Sequence, residues 1–155
     1  AELAGELKAL GADVVLVDGD DLAERVAGAT GNAAIRLGVE AIGGAATGRL
    51  VDCVATEGTV VHYGSMSGED PRVGRSNLIY RGIKLTGFML GRGLAKRDAA
   101  KIREIYAELA AQVMAGTLYA PVDTVYPIEK IKDALAHADK GGRNGKILVA
   151  PNGAI

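Results

Sequence analysis

The sequence predicts an α/β fold in which a parallel sheet is covered on both faces by helices. Three observations carry this expectation: short runs are almost continuously apolar and β-branched, helical runs alternate with them, and glycines mark the junctions. Strands buried on both faces read as unbroken apolar stretches. Alternation of such stretches with helices is the signature of parallel crossover units. Glycine supplies 22 of the 155 residues, which calls for many tight turns.

The elements follow in order. Residues 2–10 place Leu3, Leu7 and Leu10 at helical spacing ahead of Gly11, which reads as a left-handed glycine cap. Residues 13–17 form the first β-branched run, closed by the turn residues Asp18 and Gly19, with Asp20 or Asp21 free to cap a helix over 22–27. A second run, 35–42, ends at Gly43 and Gly44, and the helix expected over 47–55 gathers Leu50, Val51 and Val54 on one face. Residues 59–63 are the third strand. The loop 65–75, with Gly68, Pro71 and Gly74, has the irregularity of a binding loop, and Ser76 opens a short helical turn. Residues 84–90 are the fourth strand and 96–115 the longest helix, with an apolar stripe through Ile102, Ile105, Tyr106, Leu109 and Val113 up to Gly116. After Gly116 come an extended segment 119–126, a helix 128–138 with Ile131 and Leu135 inward, a Gly141-Gly142 turn, and a terminal strand 146–150.

Composition excludes several function classes. With 48% hydrophobic and 24% charged residues and a net charge of −1, the chain can bury a core and has no field of one sign for nucleic acid or an anionic membrane. Its single cysteine, Cys53, permits no internal disulfide, and His62 and His137 are too far apart in sequence to suggest a metal cluster. A reducing compartment follows. No apolar run of about 18 residues and no basic-then-apolar leader is found, so the expected location is the cytoplasm.

Four pieces in order carry a family resemblance. They are Leu10-Gly11-Ala12-Asp13, then Val39-Glu40-Ala41-Ile42-Gly43-Gly44, then residues 58–66 (Gly58, Thr59, Val60, Val61, His62, Tyr63, Gly64, Ser65, Met66), then residues 78–88 from Leu78 to Phe88. Together they resemble the second half of the nucleotide-binding domain of medium-chain dehydrogenases/reductases, in the branch of 2-enoyl thioester reductases and quinone oxidoreductases. Ala120-Pro121-Val122 and Gly145-Lys146-Ile147-Leu148-Val149 resemble that family's tail.

The resemblance implies a Rossmann-like, doubly wound parallel sheet in the order 3-2-1-4-5-6, with the dinucleotide across the carboxyl ends of its strands. Residues 13–17 would be the third strand, so the first two strands and the N-terminal catalytic domain would be missing. The domain organisation implied is a partial dinucleotide-binding domain over 1–117 and a segment over 118–155 returning toward the catalytic domain. Because the two missing strands would lie between the third and fourth, the bordering strands would expose unpaired backbone groups, and the chain alone would fold poorly or self-associate.

The function implied is hydride transfer from NADPH to an activated C=C bond, best matched by an enoyl thioester. A quinone or enone reductase is the alternative, and a non-catalytic dimerisation module the alternative from another class. A zinc alcohol dehydrogenase is the weaker relative. The resemblance implies cofactor contacts at Gly43, Gly44, Tyr63, Gly64, Ser65, Met66, Phe88, Met89, Leu90 and Lys146, a small-molecule substrate, and a homodimer through the edge strand at 84–90. No catalytic residue is assigned, because the usual acid, a tyrosine, belongs to the catalytic domain.

Each candidate also has a plain structural reading. The glycines end strands under either view, Gly43 to Gly48 lacks the spaced glycines of a dinucleotide fingerprint, and Cys53 reads as a buried, inert thiol. His62 alternates with Val61 in a strand, and His137 stands near a helix end where a cation is welcome. Asp18-Gly19-Asp20-Asp21 reads as a turn and helix cap rather than a calcium loop, and Lys96-Arg97-Asp98 as a solvated helix start.

Overall fold

The computed structural model describes residues 3–153. Two compact units divide between Gly93 and Leu94.

The first unit opens with α1 (Ala4–Ala9), followed by Gly11 at φ 103°, the left-handed residue its sequence promised; the expected helical residue Glu2 lies outside the described residues. Then come α2 (Leu22–Ala29), β1 (Leu37–Glu40), α3 (Gly44–Cys53), β2 (Thr59–His62), α4 (Arg75–Ile79) and β3 (Lys84–Gly87). The three strands form one parallel sheet in the order β1-β2-β3, in the register Gly38↔Val60↔Leu85 and Glu40↔His62↔Gly87. The core is where α3 lies on this sheet. Val51 of the helix, Val54 just after it, and Val60 and Ile83 beneath them are buried, with Leu50 and Leu85 against them. Gly38 has a local reason to be glycine, since a Cβ would stand 3.2 Å from Leu50.

Residues 13–17 do not form the expected strand. They run without a ladder partner among the described residues, and Val17 is 62% exposed. Strand geometry needs a neighbour to take the backbone groups, whatever the β propensity of the run. The outer edge of β1 is open for the same reason. The N–H groups of Thr59 and Tyr63 donate to the carbonyls of Arg36 and Glu40, so by alternation the backbone groups of Leu37 and Val39 point away from β2.

The ends of α3 are both closed from outside the helix. At its start, the carboxylate of Glu40 takes the N–H groups of Ile42 and Gly43 at 2.5 and 2.6 Å. At its end, the Arg81 guanidinium donates to the carbonyl of Val54 and to Asn77 Oδ1 at 2.7 Å, while Asn77 holds Asp52 at 2.8 Å. Both charges have the sign that a helix dipole favours.

α5 (Leu90–Leu94) crosses the division between the units, and the expected fourth strand stops at Gly87. The second unit holds α6 (Ala99–Met114), β4 (Val122–Pro127), a 3-10 turn (Ile128–Lys130), α7 (Ile131–Ala138) and β5 (Lys146–Ala150). Asp98 caps α6 through the N–H of Lys101 at 2.7 Å, which shortens the solvated start to a cap, and Gly116 follows at φ 73°. β4 and β5 are parallel, with an irregularity between Val122 and Thr124. The inward residue of α7 is Ala134, whereas Ile131 and Leu135, expected inside, are exposed. A small side chain lets the helix approach its two-stranded sheet, and the larger residues fall on the flanks.

Candidate functional site

Nine of the ten candidate cofactor residues gather at the carboxyl ends of β1, β2 and β3, and Lys146 lies at the start of β5 in the second unit. Gly43 precedes α3 at φ 88° and Gly44 follows at φ 58°, both in the left-handed region. The space their side chains would need is already filled from within. A Cβ on Gly43 would run into the Glu69 carbonyl, and one on Gly44 would come within 2.7 Å of Glu69 Oε2.

The loop after β2 is laced onto this turn. Met66 and Ser67 donate backbone N–H groups to the carbonyls of Ala41 and Ile42 at 2.9 and 2.8 Å, and the Ser67 hydroxyl reaches Ile42 at 2.6 Å. Farther on, Arg72 N–H donates to the carbonyl of Gly44 at 3.1 Å, and its guanidinium pairs with Glu69 at 2.9 Å. The result is a fixed shoulder rather than an unstructured loop. Tyr63, Met66, Phe88, Met89 and Leu90 remain exposed around it, Met66 to 83%. On the outer side of β1 opens a mainly apolar cleft of about 380 Å³, bordered by Val39, Ile42, Tyr63 and Met66, with Asp18 and Leu22 opposite.

The buried polar centre of the corner is Glu40, 6% exposed. Besides the two backbone donors it accepts the Thr47 hydroxyl at 3.1 Å and meets His62 Nδ1. Burial pushes its pKa up, but the donors Gly43, His62, Ile42 and Thr47 outweigh that and hold it below the ordinary carboxylate value. Neither a role for Glu40 nor a partner for His62 is visible in the sequence, because their pairing depends on strand register. One signal was present: a single charged residue inside an apolar strand, two positions before a turn.

Several other polar groups have partners of their own. Asp18 forms a two-pronged pair with Arg49, at 2.7 and 2.5 Å, and its pKa is lowered chiefly by that hydrogen bond. Asp21 occupies the first position before α2 but makes no capping bond and pairs with Arg25 at 2.9 Å instead. The Cys53 thiol donates to the Arg49 carbonyl at 3.2 Å, and burial raises its pKa, as suits an unreactive thiol. His137 has partners too, Tyr126 Oη at 3.1 Å and Asp123 at 3.9 Å.

Among the described residues no group of three or more His, Cys, Asp or Glu could hold a metal ion. At the strand ends, exposed apolar side chains and backbone groups stand together.

The comparisons with known proteins agree with this architecture. A family model described as "Zinc-binding dehydrogenase" matches residues 10–149. Mitochondrial enoyl-[acyl-carrier-protein] reductases are similar in sequence: the Arabidopsis thaliana protein is 31% identical over 150 residues, covering 96% of this chain and 40% of its own length. The Rattus norvegicus protein is 28% identical over 135 residues, covering 86% and 36%. Among solved structures, a mycobacterial quinone oxidoreductase matches with TM-score 0.80 and 25% identity, over 97% of this chain and 46% of its own. An enoyl thioester reductase from Candida tropicalis matches with TM-score 0.77 and 18% identity, over 96% and 43%. The chain thus spans roughly two fifths of the length of these relatives.

Proposed function

The chain belongs to the zinc-binding dehydrogenase family, within the medium-chain dehydrogenases/reductases, and from that premise we propose that it is the nicotinamide side of an NADPH-dependent reductase acting on an activated C=C bond. The observation that carries the reading is the cluster at the ends of β2 and β3, with Tyr63, Met66, Phe88, Met89 and Leu90 exposed where open α/β sheets bind ligands. When bound, the cofactor supplies the hydride. This chain's residues hold and shield its ring: Tyr63 and Met66 offer apolar walls, while Gly64, Ser65 and the backbone of residues 88–90 offer close polar contacts. Gly43 and Gly44 set the turn against which the riboside would rest. Lys146 is a separate candidate contact on the second unit, and residues 118–155 form the return toward a catalytic domain.

An enoyl thioester is the substrate class best supported, since the curated relatives are enoyl reductases and a protein of similar fold, an Etr1p mutant, was solved in complex with NADP and crotonyl-CoA. The quinone reading rests on the similarity to the mycobacterial quinone oxidoreductase. Neither route needs a metal from this chain. Fluorescence titration of the full-length protein tests the core claim, with NADPH expected to bind more tightly than NADH; binding of neither overturns it. Turnover of a crotonyl thioester against a quinone separates the two substrates.

The homodimer is part of the same reading. Lys84 and Phe88 donate N–H groups inward to Gly58 and His62, so those of Leu85 and Gly87 point outward and can pair with a second copy. Leu85→Pro removes one outward donor and is expected to turn a dimer into monomer by light scattering; an unchanged dimer excludes this edge. No described helix is long and apolar enough to cross a membrane. The single Cys53 supports a reducing compartment such as the cytoplasm, and fractionation decides between that and the mitochondrial location carried in the relatives' names.

A further inference from the structure

Both oxygens of the Glu40 carboxylate are fully engaged. Oε1 accepts from Ile42 and Gly43 N–H at 2.5 and 2.6 Å, and Oε2 accepts from the Thr47 hydroxyl at 3.1 Å and faces His62 Nδ1. An ionised carboxylate has no proton to donate, so the proton between the pair belongs to His62 Nδ1. In the neutral ring Nε2 is then the acceptor. The register gives His62 an unequal pair of neighbours, Glu40 on β1 and Gly87 on β3, and Gly87 has no side chain to cover it. A Cβ built there would meet nothing closer than the His62 carbonyl at 3.9 Å. The imidazole is 21% exposed and directly precedes Tyr63.

We propose that Glu40 is a positioning residue for the nicotinamide end of the site: it fixes His62 as the Nδ1–H tautomer, with Nε2 as acceptor for the carboxamide N–H or ribose O–H donors of a nicotinamide riboside. The same carboxylate fixes the Ile42–Gly43 turn, so one buried group sets both the wall and the imidazole. The role rests on the reductase reading above. It is chemically specific, because a neutral amide in place of Glu40 keeps an acceptor for the turn but presents N–H groups to His62. The tautomer must then invert.

Two-bond proton–nitrogen spectra of the imidazole at about pH 8, above the ordinary histidine range, read the tautomer without any ligand. Wild type is expected to carry the proton on Nδ1, and Glu40→Gln to carry it on Nε2. NADPH binding is expected to weaken about tenfold in Glu40→Gln, the loss of one good hydrogen bond. His62→Gln, at a partly exposed position that spares the buried turn, should do the same with an unchanged circular dichroism spectrum. In the full-length protein, binding of 2′,5′-ADP, which lacks the nicotinamide riboside, should stay within about twofold in both variants, less than one hydrogen bond's worth. A wild-type proton on Nε2 overturns the proposal, as does wild-type-like NADPH binding by both variants. If the wild-type protein binds neither NADPH nor NADH, the reductase reading is overturned and this role with it; loss confined to the variants would leave both standing.

Discussion

Residues 13–17 read Asp, Val, Val, Leu, Val and stay unpaired, whereas Leu37–Glu40 reads Leu, Gly, Val, Glu and forms a strand in register with β2. On side-chain preference alone the order would be reversed, since glycine and glutamate are poor strand residues. The second segment succeeds because everything around it is satisfied: its backbone pairs with β2, Gly38 lets Leu50 approach, and Glu40 binds four donors. The first has side chains fit for a sheet and no neighbour to complete it. Strand identity here is a property of partners more than of composition.

Substitutions can break or sharpen that contrast. The largest effect is expected at Glu40→Ala, which leaves the N–H groups of Ile42 and of buried Gly43 without an acceptor and should cost about 3 kcal/mol in urea denaturation. Val51→Ala should cost about 2 kcal/mol by the same measurement, since the side chain is wholly buried between α3 and the sheet. Acid stability is the next test. The folded pKa of Glu40 lies below its ordinary 4.5, so its contribution is full above that value and is lost as pH falls through the depressed folded value. Glu40→Gln should therefore flatten the loss of stability on acidification below about pH 4.5. The smallest effect is expected at Val17→Thr, within about 0.5 kcal/mol, because the side chain is exposed and the segment is unpaired. A loss near that of Val51→Ala would mean residues 13–17 pack as a strand after all.

Elements whose signal is local were legible in the sequence. The terminal strand Lys146–Ala150 coincides with its expectation, and β2, α6 and the glycine endings at Gly11 and Gly116 lie within a few residues of theirs. The fourth strand was read three residues too long because apolar Phe88, Met89 and Leu90 continue its pattern, although Leu90 already begins α5. The inward face of α7 was assigned to its largest side chains, when close packing selected Ala134. At the candidate site, position was legible and chemistry was not. Strand-ending glycines and the aromatic and Met residues after them mark the carboxyl edge, but the Glu40–His62 pair joins residues 22 apart in sequence. Only the register of β1 on β2 makes them neighbours.

The external closure of α3 bears on the order in which the molecule assembles. A ten-residue helix beginning Gly44, Ala45, Ala46, Thr47, Gly48 is marginal in isolation, and it carries no capping side chain of its own. Its N-terminal clamp is local, from Glu40 to the next residues, but its C-terminal clamp comes from Arg81, 27 residues beyond Val54. Such long-range closure delays the reward for ordering the helix until the sheet has formed. Truncating Arg81 should accordingly speed unfolding while leaving the folding rate nearly unchanged, the kinetic mark of an interaction made after the main barrier.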